Sequence, residues 1–159
     1  MANREVLSTK IVHLGIISFW FLFWLLSVID KFIFEPVFLW VGKDFFAEFI
    51  ELFSSIGVDS VLIVGGFYWF VVALEFIALI FLFLSLLNYC FKKYKKADKF
   101  FFSGTIIGLV IFTFFTIGDQ VFGEREELME HTVFWLALII SWAAYTYFPT
   151  TKKDSLIEN

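Results

Sequence analysis

Glu75 stands inside the longest apolar stretch of the chain, fifteenth of the 29 residues from Val61 to Tyr89. A carboxyl at the centre of a bilayer costs about 2.5–3.5 kcal/mol on insertion scales, so acids there are rare and mark functional sites or interhelix bonds. No Lys or Arg lies inside another apolar stretch to pair with it. Burial without a cation favours the neutral acid, so Glu75 is expected to keep its proton at neutral pH unless a ligand, an ion or a water-filled cavity meets it. The chemistry open to it is that of a proton site or a ligand-binding carboxyl. The plainer alternative is a protonated acid bonding two helices together. Tyr68, Thr113, Thr116, Ser141, Tyr145 and Thr146 are the hydroxyls considered as partners.

Two charge clusters lie outside the apolar stretches. Asp30, Lys31 and Glu35 gather where the first stretch ends. Asp30 and Lys31 are sequence neighbours and point to different faces of a helix. With Glu75 they are the candidate ligand or proton site; otherwise they are a charged membrane edge. Glu124, Glu127 and His131 fall at i, i+3 and i+7 on one helical face, with Asp119 upstream. Carboxylate and imidazole ligands suit a divalent cation, so these three are the candidate metal ligands, set against an ordinary solvated face. His13 and His131 belong at opposite sides of the bilayer, which argues against a shared haem; each is expected at an interface. No nucleotide-binding, zinc-protease or nucleophile-elbow motif is present, and no cofactor is identifiable.

The elements that position these residues follow from length and hydropathy. The chain has 159 residues, of which 60% are hydrophobic, 23% aromatic and 18% charged. Its mean hydropathy is +0.86. A spanning helix needs about 20 apolar residues, and loose backbone groups find no partners in lipid. The composition therefore predicts an all-α, four-helix transmembrane bundle in one domain, 1–149, with spans near 11–29, 61–89, 100–117 and 132–148, and a polar tail at 150–159. Long apolar runs without alternation exclude a barrel. A single Cys90 excludes a disulfide framework. The formal charge of −4 argues against nucleic acid.

Between the first two spans, Asp44, Glu48, Glu51 and Ser55 share one helical face while Phe45, Phe46, Phe49, Ile50, Leu52 and Phe53 fill the rest. That pattern predicts an amphipathic helix over about 43–56, lying in the external interface. It serves either as a cap over the bundle or as a lid over a site. Trp40 fits an aromatic belt beside it, and Phe32, Phe34, Pro36 and Phe38 suggest a short interfacial stretch before it. Glu124 to His131 reads as a helix running straight into the fourth span. Gly65 and Gly66 are expected to allow close helix approach. An echo between SVIDKF (27–32) and TIGDQVF (116–122) is too short to separate a duplicated hairpin from chance.

Orientation follows from Lys and Arg counting. Arg4, Lys10, Lys92, Lys93, Lys95, Lys96, Lys99, Lys152 and Lys153 fall on the side of both termini, nine of the twelve basic residues, whereas eleven of the sixteen acids fall opposite. Both termini are therefore expected in the cytoplasm. The first span is expected to be retained rather than cleaved as a signal peptide.

The segment from Ile16 through the second span resembles the DoxX-like family of small four-span bacterial membrane proteins, which implies a place in the bacterial inner membrane. The resemblance rests on IDKFIFEP (29–36), SIGV (55–58), VGG (64–66) and Glu75 in VALEFIALIFLFLSLL. It implies a tightly packed four-helix bundle that serves as an accessory subunit of quinone-linked or redox membrane complexes, and it carries over Lys31, Pro36 and Glu75. GDQVFGEREELMEHT (118–132) departs from that pattern. In placing Asp30 at the end of the first span and Glu75 inside the second, the chain is also similar to the four-span sterol isomerase and sigma-2-type family. Three function classes follow. The first is a DoxX-like accessory subunit of a larger membrane complex. The second is a binder or enzyme for a lipophilic ligand such as a quinone or sterol, using Glu75. The third is a small proton or cation conduit, oligomeric in form. Whether the chain is an enzyme stays open at this point.

Overall fold

A computed structural model describes residues 2–33 and 44–148, with side chains from residue 9 onward. Five helices make up the described residues: α1 (Ala2–Asp30), α2 (Phe45–Ser55), α3 (Val61–Cys90), α4 (Tyr94–Phe122) and α5 (Arg125–Tyr147). All but α2 are long and apolar enough to cross a membrane. Large apolar side chains such as Phe19, Leu22, Leu26, Leu62, Phe70 and Ile140 are exposed along them. An exposed apolar surface of that extent needs lipid around it, and the chain is a multi-pass helical membrane protein.

Local chemistry sets the helix ends. Asp44 caps α2: its Oδ1 accepts from the backbone N–H of Phe46 at 3.0 Å and of Ala47 at 3.1 Å. After Ser55 the chain turns through Gly57, at φ 84°. Gly123, at φ 82°, ends α4 in the left-handed conformation that glycine adopts without strain. Its N–H and that of Glu124 both donate to the Asp119 carbonyl at 2.9 Å. The acidic segment expected outside the spans is therefore helical, divided between the last turn of α4 and the start of α5. At the other end Lys95, Lys96 and Lys99 ride on the first turns of α4, so only Phe91–Lys93 connects α3 to α4. The expectations for Phe34, Glu35, Pro36, Phe38, Trp40 and Lys43 lie outside the described residues.

α3 is central and packs against α1, α2 and α4, while α5 packs on α4 and touches α1. Trp20 Nε1 donates to Ser141 Oγ at 3.0 Å and closes the ring between α1 and α5. The core is aromatic, with Trp20, Trp24, Phe101 and Phe112 almost fully buried. The close helix approach comes from a different pair of glycines than expected. A Cβ on Gly66 would meet nothing within 4 Å, and one on Gly65 would stand 3.7 Å from the Phe46 ring, an ordinary contact. On Gly104 it would stand 3.0 Å from Leu82 Cγ, 3.3 Å from Phe81 Cβ and 3.4 Å from the Ala78 carbonyl oxygen; on Gly108, 2.9 Å from Leu138 Cδ2 and 3.2 Å from Trp24 Cζ2. Gly104 and Gly108 form a small-xxx-small pair that lets α4 settle against its neighbours.

Helix register sets the level of Glu75 relative to α1. Antiparallel α1 and α3 are tied by Tyr89 Oη donating to the Lys10 carbonyl, Ser27 Oγ to Glu75 Oε2 and Tyr68 Oη to the Lys31 carbonyl. Glu75 therefore stands level with the last turn of α1, not with its middle. At 1.5 Å per residue, α3 runs about 21 Å from Val61 to Glu75, while α1 continues only about 4.5 Å from Ser27 to Asp30. α3 overhangs α1, and α2 packs on that overhang.

Candidate functional site

The overhang, α2 and the adjoining ends of α4 and α5 enclose a cavity of about 460 Å³. Phe45, Phe49 and Phe53 of α2 form its roof, with Phe67 and Phe70 of α3 and Phe114, Phe115 and Phe122 of α4 as walls. The rings lock together: the Phe49 and Tyr68 centroids are 5.6 Å apart, those of Phe53 and Phe122 5.2 Å. α2 thus covers a space rather than a solid core, which bears on the lid alternative.

The polar side of the cavity is built at the helix ends. Lys31, just past α1, places its ammonium 3.8 Å from the centroid of the Phe45 ring, a cation–π contact. Its backbone is pinned by Tyr68, whose hydroxyl donates to the Lys31 carbonyl at 3.0 Å. Glu48 comes from α2, and Glu127, Glu130 and His131 come from the first turns of α5. Asp119 is 7% exposed, and its Oδ2 lies 2.7 Å from His131 Nδ1. The His131 ring packs 4.8 Å from that of Phe115.

The candidate residues separate in space. Lys31 lines the cavity; Asp30 and Glu75 do not. Glu75 is 1% exposed, in the contact between α1 and α3. Its Oε2 accepts from Ser27 Oγ at 3.1 Å, and its Oε1 has no hydrogen-bond partner among the described residues. Lys31, Asp30 and His131 all act on it through space. A cation is thus within electrostatic reach, which reading the spans one at a time missed, because Glu75 sits at the level of the helix ends. None of the six hydroxyls considered for it is its partner. Tyr68 bonds Lys31, Tyr145 bonds Asp98, Ser141 accepts from Trp20, and Thr113, Thr116 and Thr146 each donate to a carbonyl of their own helix. Ser27 carried no signal of its own in the sequence. It becomes recognisable only once the face Ile17, Trp20, Trp24, Val28 is known to be the buried one.

The expected metal face of Glu124, Glu127 and His131 splits. Glu127 and His131 reach the cavity with Glu130 between them, and Glu124 does not. Among the described residues no three His, Cys, Asp or Glu side chains group closely enough to hold a metal ion. His131 is engaged with Asp119 instead.

A second polar cluster lies at the opposite end of the bundle, around His13. That residue is 2% exposed, with its ring stacked 4.0 Å from Tyr145. Tyr145 donates to Asp98 Oδ1 at 2.7 Å and stacks on Phe101 at 4.1 Å. His13 is core because α5 brings Tyr145 across it, which hydropathy along α1 does not reveal.

Comparison with protein-family models, curated proteins and solved structures found no match for this chain.

Proposed function

We propose that the protein binds a lipophilic or amphipathic small molecule in the cavity beneath α2. The carrying observation is a cavity of about 460 Å³ with eight phenylalanines and a few charged groups in its lining. Ligand pockets of roughly 300–1,000 Å³ have this construction, a mostly apolar wall with a few placed polar groups. The dimensions suit a ring system or a folded acyl chain, and quinones belong to that class. The reading is compatible with the accessory role in redox membrane complexes that the DoxX-like resemblance implies. The basic residues around the termini support a cytoplasmic position for both ends in a bacterial inner membrane, which puts the cavity on the far side of that membrane. A conduit through Glu75 has less support, since that carboxyl is 1% exposed and off the cavity.

Val71 lines the cavity and is half-buried, so Val71→Trp should fill space without entering the core. Displacement of phenylnaphthylamine from the purified protein in nanodiscs tests the reading. Wild type should bind the dye saturably and release it to a short-chain quinone, and Val71→Trp should lose most of that binding. Equal binding by the two proteins would remove the cavity as the site.

A further inference from the structure

We propose that Asp119 and His131 form a hydrogen-bond acceptor pair that selects a ligand bearing a neutral hydroxyl, such as a phenol, a quinol or an alcohol. This inference rests on the cavity being a ligand site and specifies the headgroup it takes. Three features of the cavity lead to it.

First, Asp119 Oδ2 and His131 Nδ1 lie 2.7 Å apart, within a strong hydrogen bond. A carboxylate only accepts, so the ring proton sits on Nδ1, and in the neutral imidazole Nε2 keeps its lone pair. Fixing the tautomer through the other nitrogen is how a carboxylate orients a functional histidine. Asp119 is therefore a positioning residue, and His131 is the group that would touch the ligand.

Second, the pair is built into the wall. Asp119 is 7% exposed, and the imidazole leans on the Phe115 ring at 4.8 Å. His131 lines the cavity, and among the described residues its hydrogen bond is the one to Asp119.

Third, the polar groups around it are mostly acceptors. Glu48, Glu127 and Glu130 share the lining with the pair, and among the described lining residues Lys31 is the Lys or Arg cation, its ammonium set over the Phe45 ring. An apolar body fits the phenylalanine wall, and a donor headgroup fits the acceptor side. A hydroxyl supplies that donor without the desolvation cost of carrying a charged headgroup into a largely apolar cavity. The bond it makes runs from the ligand O–H to His131 Nε2, with no net proton transfer.

The test uses the full chain in nanodiscs and two probes, para-octylphenol and its methyl ether, which share shape and hydrophobicity but differ in the donor. Calorimetric titration of wild type should show the phenol binding roughly tenfold more tightly, the worth of one well-made hydrogen bond in a dry site. His131→Phe should bring the phenol down to the ether's affinity while leaving the ether unchanged, which also shows that the variant is folded. His131→Gln, whose amide oxygen can accept the same proton, should keep part of the preference. Asp119→Asn can donate to Nδ1 and move the ring proton to Nε2, so it should lower the preference without weakening the ether. Equal binding of both probes to wild type overturns the pair's role and leaves the cavity reading standing. A preference that survives His131→Phe also overturns it. Binding of neither probe overturns both.

Discussion

Replacing Glu75 by methionine should make the protein more stable. The carboxyl is 1% exposed, with one oxygen held by Ser27 at 3.1 Å and the other without a hydrogen-bond partner among the described residues. Hydrogen bonds between membrane helices average about 0.6 kcal/mol and reach about 1.7. A buried oxygen left unpaired costs about 1–3 kcal/mol. Methionine has a similar volume and a flexible chain that fills irregular space, so Glu75→Met loses the smaller contribution and removes the larger penalty. The expected gain is about 1 kcal/mol. Ser27→Ala should act in the opposite sense, because it leaves both carboxyl oxygens unpaired, and should cost about 1–2 kcal/mol. In the double variant Ser27→Ala should cost almost nothing, which isolates the coupling of the pair. Equilibrium unfolding in mixed lipid–SDS micelles, followed through the six tryptophans, measures all four proteins. A loss of 1 kcal/mol or more in Glu75→Met would refute the reasoning and make the acid a structural bond between α1 and α3. A gain would mean that the chain holds an acid there against its own stability, the pattern of residues kept for activity.

The same unfolding assay separates the glycines. Gly104→Ala puts a methyl against Phe81 Cβ and the Ala78 carbonyl, atoms that move only if α3 moves, and should cost about 1–3 kcal/mol. Gly66→Ala, with open space around it, should be neutral or gain up to about 1 kcal/mol. Asp44→Ala removes two bonds that start α2 and should weaken that helix by about 1 kcal/mol. Hydrogen exchange should then speed up about fivefold in the second half of α2 and stay unchanged in α3 to α5, and affinity for cavity ligands should fall because α2 is the roof.

Much of the architecture was legible in the chain because it is local. Four long apolar runs dictate four helices in lipid, and the face Asp44, Glu48, Glu51, Ser55 with its aspartate cap marks α2 almost to the residue. Glu75 stood out because a lone acid in such a run is expensive. Register is different, because it depends on how far one helix slides along another. The packing at Gly104 and Gly108, the tyrosine bonds to the Lys10 and Lys31 carbonyls and the short turn at Gly123 decide it, and each joins residues distant in sequence or depends on a turn only a few residues long. Those contacts lift Glu75 to the level of the α1 terminus and give it Ser27 for a partner. They bring Asp119 onto His131, and they open the space beneath α2. Hydropathy and spacing therefore determine which segments are helices and, for α2, which face is apolar. Only the tertiary structure decides which polar groups meet, because a hydrogen bond is made or lost over about an ångström, and no pattern along a single helix carries that precision.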